Sequence, residues 1–221
     1  MNEGKRGLLL DFGGVISVTL FERHRTSERL LGLKDGTLNW RGPFDPGSDS
    51  LWRDMVAGKI SERDYWARRA HETGRLIGED WDMLAMIQRT MGDNPNLHVR
   101  PEALDLVQRA KAAGKRVGIL SNELELFYGA DAMRRLDILR LMDRIVDATH
   151  TKILKPDPRS YAFGCETLGL RPQDIVFVDD QVRNVDGARK AGLTAIAFDV
   201  ARPSHCFAEA AAALGLGGAR L

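Results

Sequence analysis

Short apolar runs that stop at a polar residue constrain this chain more than any other feature. Gly7-Leu8-Leu9-Leu10 halts at Asp11, Val117-Gly118-Ile119-Leu120 at Ser121-Asn122, and Ile175-Val176-Phe177-Val178 at Asp179-Asp180. Such a run reads as a strand covered on both faces, which is what a parallel sheet between helices requires. Ligands of open α/β sheets gather at the carboxyl ends of the strands. Together with Lys155-Pro156, the three strand ends predict one pocket holding carboxylates, a hydroxyl, a carboxamide and an ammonium. That set suits an anionic substrate and a divalent cation, and it predicts an enzyme that handles phosphoryl groups.

The rest of the chain supplies the helices. After the first strand, residues 20–33 mix charges with Leu20, Phe21, Leu30 and Leu31 in a helical pattern, and residues 40–50 form a loop rich in Gly and Pro. Helices are expected over 50–57, over 61–72 with Ser61 as N-cap and Asp64 three residues on, and over 79–91 with Trp81, Leu84, Ile87 and Met91 on one face. From Pro101 helices and strands alternate. The pattern predicts a helix ending at Gly114, a strand over 116–120, a helix within 124–141, a strand over 144–147, and a helix opened by Asp157-Pro158 and closed near Gly169. Strand 175–178, helix 184–191 and strand 193–198 complete the series. Repeated βα units imply right-handed crossovers and a doubly wound parallel sheet of α/β class. The helical stretch between the first two strands is then an insertion lying over the carboxyl edge as a lid.

Each polar strand end has a chemical reading and a plainer one. Asp11, followed by Phe12-Gly13-Gly14, has the backbone access that a carboxylate nucleophile needs to reach phosphorus in line; the same Asp would also cap a turn. Ser121 and Asn122 can donate to phosphoryl oxygens or serve as turn residues. Lys155 precedes a proline that keeps its backbone extended, which suits a fixed ammonium. Adjacent Asp179 and Asp180 repel unless a cation or donors neutralise them, and magnesium, an oxygen-seeking ion that keeps several waters, answers that need. Asn184 either orients that cluster or caps the next helix.

The ordered set Asp11-Phe12-Gly13-Gly14-Val15, Ile119-Leu120-Ser121-Asn122, Lys155-Pro156-Asp157-Pro158, and Val178-Asp179-Asp180 with Asn184 and Gly187-Ala188 resembles the four motifs of the haloacid dehalogenase superfamily. The likeness spans nearly the whole chain. It implies a Rossmann-like core, residues 1–18 and 98–221, with a helical-bundle cap inserted at 19–97. The second and fourth motifs look most like sugar-phosphate phosphatases and the phosphatase domain attached to epoxide hydrolases. The resemblance further implies that Asp11 forms an aspartyl-phosphate while Ser121, Asn122 and Lys155 hold the phosphoryl group. It also implies that Mg2+ is bound by Asp11, Asp180 and the backbone carbonyl of Gly13, with Asp179 behind it or exchanging with it. One position departs from the pattern: most phosphatases of the superfamily carry an acid-base Asp where this chain has Gly13. The departure favours leaving groups that need little protonation, or a substitute donor such as Glu123. Lys152 stands where the family often has glycine.

Composition narrows the partners. Charges nearly cancel, to a net +1 over 221 residues, so no basic field calls for nucleic acid or an anionic membrane. Two cysteines, Cys165 and Cys206, without C-x-x-C spacing, predict neither disulfide nor zinc site and a reducing, cytoplasmic setting. The first six residues are polar and the apolar run behind them is short, unlike a secretory leader or a span. The expected partner is a small phosphorylated metabolite, and a homo-oligomer is compatible with the chain. Two further readings stand beside the phosphohydrolase: a 2-haloacid dehalogenase using Asp11 without metal, and a non-catalytic binding protein that kept the fold, to which Gly13 lends support. In the inserted helices Trp40, Arg41, Trp52, Trp66 and Arg69 offer aromatic and cationic surface for a substrate, although periodic Trp is the usual mark of a core.

Overall fold

The computed structural model describes residues 4–217. Strand β1 (Gly7–Leu10) leads, through a loop at Phe12–Ile16, into four helices: α1 (His24–Leu31), α2 (Ser50–Val56), α3 (Glu62–Arg75) and α4 (Met83–Met91). There follow α5 (Pro101–Ala112), β2 (Arg116–Ser121), α6 (Leu124–Arg135), β3 (Arg144–Asp147) and the single turn α7 (Ala148–Thr151). The chain ends with α8 (Pro158–Leu168), β4 (Ile175–Asp179), α9 (Val182–Lys190), β5 (Thr194–Ala197) and α10 (Pro203–Ala213).

The five strands form one parallel sheet in the order β3-β2-β1-β4-β5. The expected doubly wound α/β core is therefore present. Alternate residues of β1 serve opposite layers. Leu8 and Leu10 join Val117, Ile119, Val176 and Val178 under α5 and α10, where Leu106, Val107, Phe207 and Ala210 meet them. Leu9 joins Leu120, Ile175 and Phe177 under α8 and α9, against Tyr161, Leu168 and Ala188. Each such aliphatic side chain, fully buried, contributes roughly 1.5–3 kcal/mol. Gly187 lets α9 approach closely, because a Cβ there would lie 2.8 Å from the Tyr161 hydroxyl and 2.9 Å from Pro156.

The four inserted helices have a core of their own. Phe21, Trp40, Tyr65, Trp81, Met86 and Ile87 cluster there, and Phe21 packs edge-on to Trp40 and Trp52 at 5.3 and 5.4 Å between centroids. The tryptophans thus fill a core, as their periodicity suggests. Arg69 is part of that core, paired to Asp49 at 2.6 Å, while Arg41 is exposed. Ser61 and Asp64 form the expected capping box on α3. The layer leaves and rejoins the sheet domain through a small ribbon: Ser17 bridges Val99, Val18 N donates to His98 O, and Arg100 N donates to Ile16 O, both at 2.8 Å.

Several boundaries differ from the sequence expectation for identifiable reasons. The helix expected over 79–91 starts at Met83, because Asp82 caps it through Ala85 N. Trp81 stands ahead of it, its indole donating to Glu79. The segment 124–141 is not one helix: α6 kinks at Gly129 (φ 75, ψ 153), stops at Arg135, and a 3-10 turn over Asp137–Leu141 follows. The side chain of Asn96 fixes that break, donating to Arg135 O and accepting from Asp137 N. Helix α9 begins two residues before Asn184, so Asn184 is not its N-cap. The Ala/Gly-rich tail ends α10 at Ala213, and residues 218–221 lie outside the described residues.

Candidate active site

Sheet register brings the carboxylates together. Leu10 pairs with Val178, and Asp11 N donates to Val178 O at 2.9 Å, so the next residues along β1 and β4, Asp11 and Asp179, emerge side by side. Leu10 also pairs with Ile119, which puts the end of β2, Ser121, on the other flank. In sequence Asp11 stands more than a hundred positions from either Ser121 or Asp179; a parallel sheet with its switch point at β1 makes them neighbours.

Lys155 enters from the loop before α8. Its Nζ lies 3.0 Å from Asp11 Oδ1 and 2.6 Å from Asp179 Oδ2, and all three groups are buried. Burial alone would strip the proton from this lysine, but the pull of Asp11 and Asp179 wins and raises its pKa above the ordinary value. The loop is held by Asn122, whose Oδ1 accepts from Lys155 N at 2.7 Å and whose Nδ2 donates to Lys155 O at 3.2 Å. Both ends of the Asn122 carboxamide therefore face the Lys155 main chain, which leaves the Asn122 backbone and the Ser121 hydroxyl as its neighbourhood's donors. The β2 turn is fixed from below by Asp147, which accepts from Leu124 N, Glu125 N and Thr149 N.

The two adjacent aspartates have different surroundings. Asp179 is saturated: besides Lys155 it accepts from Gln181 N at 2.9 Å and from Asn184 Nδ2 at 3.0 and 3.2 Å. Asn184 thereby takes the orienting part rather than the capping one, and Tyr161 locks it from behind through its hydroxyl to Asn184 O. Asp180 receives no side-chain donor among the described residues. Burial first, then Asp179 and Asp11, push its pKa well above the usual carboxylate range. Asp11 is pushed up to about 7 by burial and by Asp179, against the opposing pull of Lys155. Oxygens of Asp11, Asp179 and Asp180 all lie within 4.8 Å of one another.

The loop after Asp11 shapes this cluster. Gly14 has φ +78, and a Cβ there would stand 2.6 Å from Asp180 Oδ2, so only glycine fits against that carboxylate. Gly13 is different: its φ −67 and ψ 126 are ordinary for any residue, and a Cβ would meet nothing within 4 Å. Arg100 pins the loop from outside, its Nε donating to Gly14 O at 3.1 Å and its two terminal nitrogens to Glu22 at 2.9 and 2.7 Å.

Several groups at the site have no sequence signature. Tyr128, from α6, packs edge-on to Phe12 at 4.9 Å and shares a 3.0 Å hydrogen bond with Ser17. Arg63 and Glu62, at the start of α3, reach the sheet domain: Arg63 Nε donates to Glu123 Oε1 at 2.8 Å, and Glu62 accepts from Gln181 at 2.6 Å and Arg183 at 3.3 Å. Burial raises the pKa of Glu123, against the stabilising pull of Arg63. Only the Ser61–Asp64 box foretold where α3 starts, and nothing foretold what that start touches. Lys152 sits at φ 60, a left-handed position that glycine adopts without strain.

Residues 6–192 match the sequence model of the haloacid dehalogenase-like hydrolases. The chain is 34% identical to (S)-2-haloacid dehalogenase 1 of a Pseudomonas species over 66% of its own length and 63% of that protein. It is 31% identical to Phosphatase MT3486 of Mycobacterium tuberculosis over 45% of its length and 46% of that protein. The matched part thus spans about half to two thirds of these curated relatives. Among solved structures, a HAD phosphatase from Thermococcus onnurineus superposes with a TM-score of 0.59 at 19% identity, over 98% of this chain and all of that one. With a parallel sheet whose carboxyl edge gathers Asp11, Ser121, Lys155 and the Asp179-Asp180 pair, and a family match over most of its length, the chain belongs to the haloacid dehalogenase-like hydrolases.

Proposed function

We propose that this hydrolase is a magnesium-dependent phosphohydrolase of small phosphorylated metabolites, acting through an aspartyl-phosphate at Asp11. The observation that carries the reading is Asp180: a half-buried carboxylate that receives no hydrogen bond among the described residues, its oxygens within 4.8 Å of those of Asp11 and Asp179. Uncompensated charge of that kind fits a divalent cation. Asp11, Asp180 and the Gly13 carbonyl would hold Mg2+, and Asp179, already saturated, would stand behind it. When bound, the ion neutralises charge on the phosphoryl oxygens and keeps both carboxylates ionised.

The chain's own groups account for the remaining chemistry. Lys155 holds Asp11 Oδ1 and stays charged through Asp179, so its ammonium faces the equatorial oxygens as charge spreads over them. The Ser121 hydroxyl and the Asn122 backbone are the donors on the opposite flank. The Asp11 carboxylate forms the new oxygen–phosphorus bond as the bond to the leaving oxygen breaks; water then attacks phosphorus and frees Asp11 and inorganic phosphate. No carboxyl stands at Gly13 to protonate the leaving oxygen, which favours substrates whose leaving group departs as an anion. Residues 19–97 serve as the cap over this edge, with Glu62 and Arg63 as its contacts to the core.

A dehalogenase reading rests on the identity to (S)-2-haloacid dehalogenase 1. Against it, a halocarboxylate would bring its own negative charge beside Asp11, Asp179 and Asp180, which Lys155 offsets only in part. Phosphate release from a panel of phosphate esters, with and without magnesium, compared between wild type and Asp11→Asn, tests the proposal. Metal-dependent release abolished by the substitution supports it; halide release from 2-chloropropionate without phosphate release overturns it.

A further inference from the structure

Arg23, the residue that leads into α1, is 6% exposed and forms no ion pair or side-chain hydrogen bond with any described residue; its Nε is wholly enclosed. The neighbouring carboxylate does not serve it. Both oxygens of Glu22 are engaged by Arg100, and one of them also by the Thr19 amide and hydroxyl. A buried guanidinium without a counter-ion is costly to keep, since removing one partner of a buried pair is among the more destabilising changes known. A fold retains such a group where something else supplies the anion.

Its surroundings say where that anion comes from. On one side, Arg100 ties Glu22, the residue before Arg23, to Gly14 O in the loop after the nucleophile, where the Tyr128 ring packs on Phe12. On the other is Ser27, one helical turn along the same face of α1, 2% exposed, with its Oγ likewise lacking a partner. An arginine fork beside an unpartnered hydroxyl is suited to bidentate capture of a planar or tetrahedral oxyanion. We propose that Arg23, assisted by Ser27, binds a second anionic group of the substrate, a carboxylate or phosphate distal to the phosphoryl group on Asp11. This rests on the phosphohydrolase reading and narrows it to phosphate esters that carry another acid.

The test uses non-hydrolysable ligands, so that it does not depend on turnover. Binding of 3-phosphonopropionate, 4-phosphonobutyrate and ethylene diphosphonate to the full chain in magnesium is measured by calorimetry against propylphosphonate and the neutral amide of the first. Wild type is expected to prefer a doubly anionic ligand by about 10- to 100-fold, the range of charge-assisted hydrogen bonds, and the carboxylate and diphosphonate arms show which oxyanion it takes. In Arg23→Gln that ratio falls to near one, while Arg23→Lys keeps part of it; a merely structural arginine would change affinities without changing the ratio. Equal wild-type affinity for singly and doubly anionic ligands overturns the proposal even if neither variant folds, and so does a ratio that survives Arg23→Gln. Hydrolysis of simple phosphate esters without any such preference would leave the phosphohydrolase standing and remove the role of Arg23. A preference among phosphonates with no ester hydrolysed would do the reverse.

Discussion

On the phosphohydrolase reading, placing a carboxyl group at Gly13 should convert an enzyme that waits for a good leaving group into one that assists a poor one. The backbone there, φ −67 and ψ 126, is open to any residue, and a Cβ would meet nothing within 4 Å. The backbone and Cβ of Gly13→Asp therefore need no rearrangement, and replacing a glycine at a compatible site contributes about 0.4–1 kcal/mol through the unfolded chain. Positioned acid-base catalysis is worth about 10²- to 10⁴-fold, but only where the leaving oxygen needs a proton. The expected gain is thus large for alkyl phosphates and small for a nitrophenyl phosphate. The assay is kcat/KM across a series of phosphate esters, plotted against leaving-group pKa, for both proteins in saturating magnesium. Wild type should show a steep dependence and Gly13→Asp a shallow one. An unchanged slope in a variant that melts no lower than wild type would refute the idea that the missing carboxyl limits protonation.

The neighbouring glycine should behave in the opposite way: Gly14→Ala puts a methyl 2.6 Å from Asp180 at φ +78, so it should lose about 1–3 kcal/mol of stability and most of the rise in Tm that magnesium gives, both read by thermal melts. Lys155→Met leaves Asp179 buried without its cation, and chemical denaturation should show a loss of about 3–5 kcal/mol, partly recovered by adding Asp179→Asn. His24, enclosed by Trp40 and Phe21, is held down by burial, and further by Arg41 and Arg69 against the opposing pull of Glu28, from 6.5 to about 4. Between those values the unfolded chain binds a proton that the folded one refuses, so stability present above pH 6.5 is lost as pH falls toward 4. At about 1.4 kcal/mol per pKa unit the loss reaches roughly 3 kcal/mol. His24→Leu should remove that part of the acid dependence, and a parallel pH–stability curve for the two proteins would contradict it.

Local pattern and sheet register made much of the catalytic edge legible in advance. Asp11, Ser121, Lys155 and Asp179 could be assigned to one pocket because a buried parallel strand has an unmistakable composition and only one end where ligands collect. What Asn122 and Asn184 do there could not be read. Each has a plain alternative as a turn or cap residue, and the choice depends on atoms of Lys155 and Asp179 that are distant in sequence. Arg23, Tyr128 and the Arg63–Glu123 pair carry no motif at all, since their meaning arises only when the helical layer docks on the sheet. The start of α4 was misplaced for a similar reason: Trp81 keeps the helical spacing but is held ahead of the helix by Glu79 and by its packing on Gly74.

The ribbon that joins Ser17 to Val99 bears on how the chain finds its fold. Strand β1 must pair with β2, Gly7 against Arg116, across the entire run of inserted helices, and the entropy lost in closing a loop rises with the logarithm of its length. Helices that fold around their own aromatic cluster and return the chain to its point of departure shorten that loop to residues 11–17 and 99–115, most of the latter in α5. The insertion then works as a staple during folding: the helical layer condenses on local contacts, and the sheet zips once its two central strands have been delivered to each other.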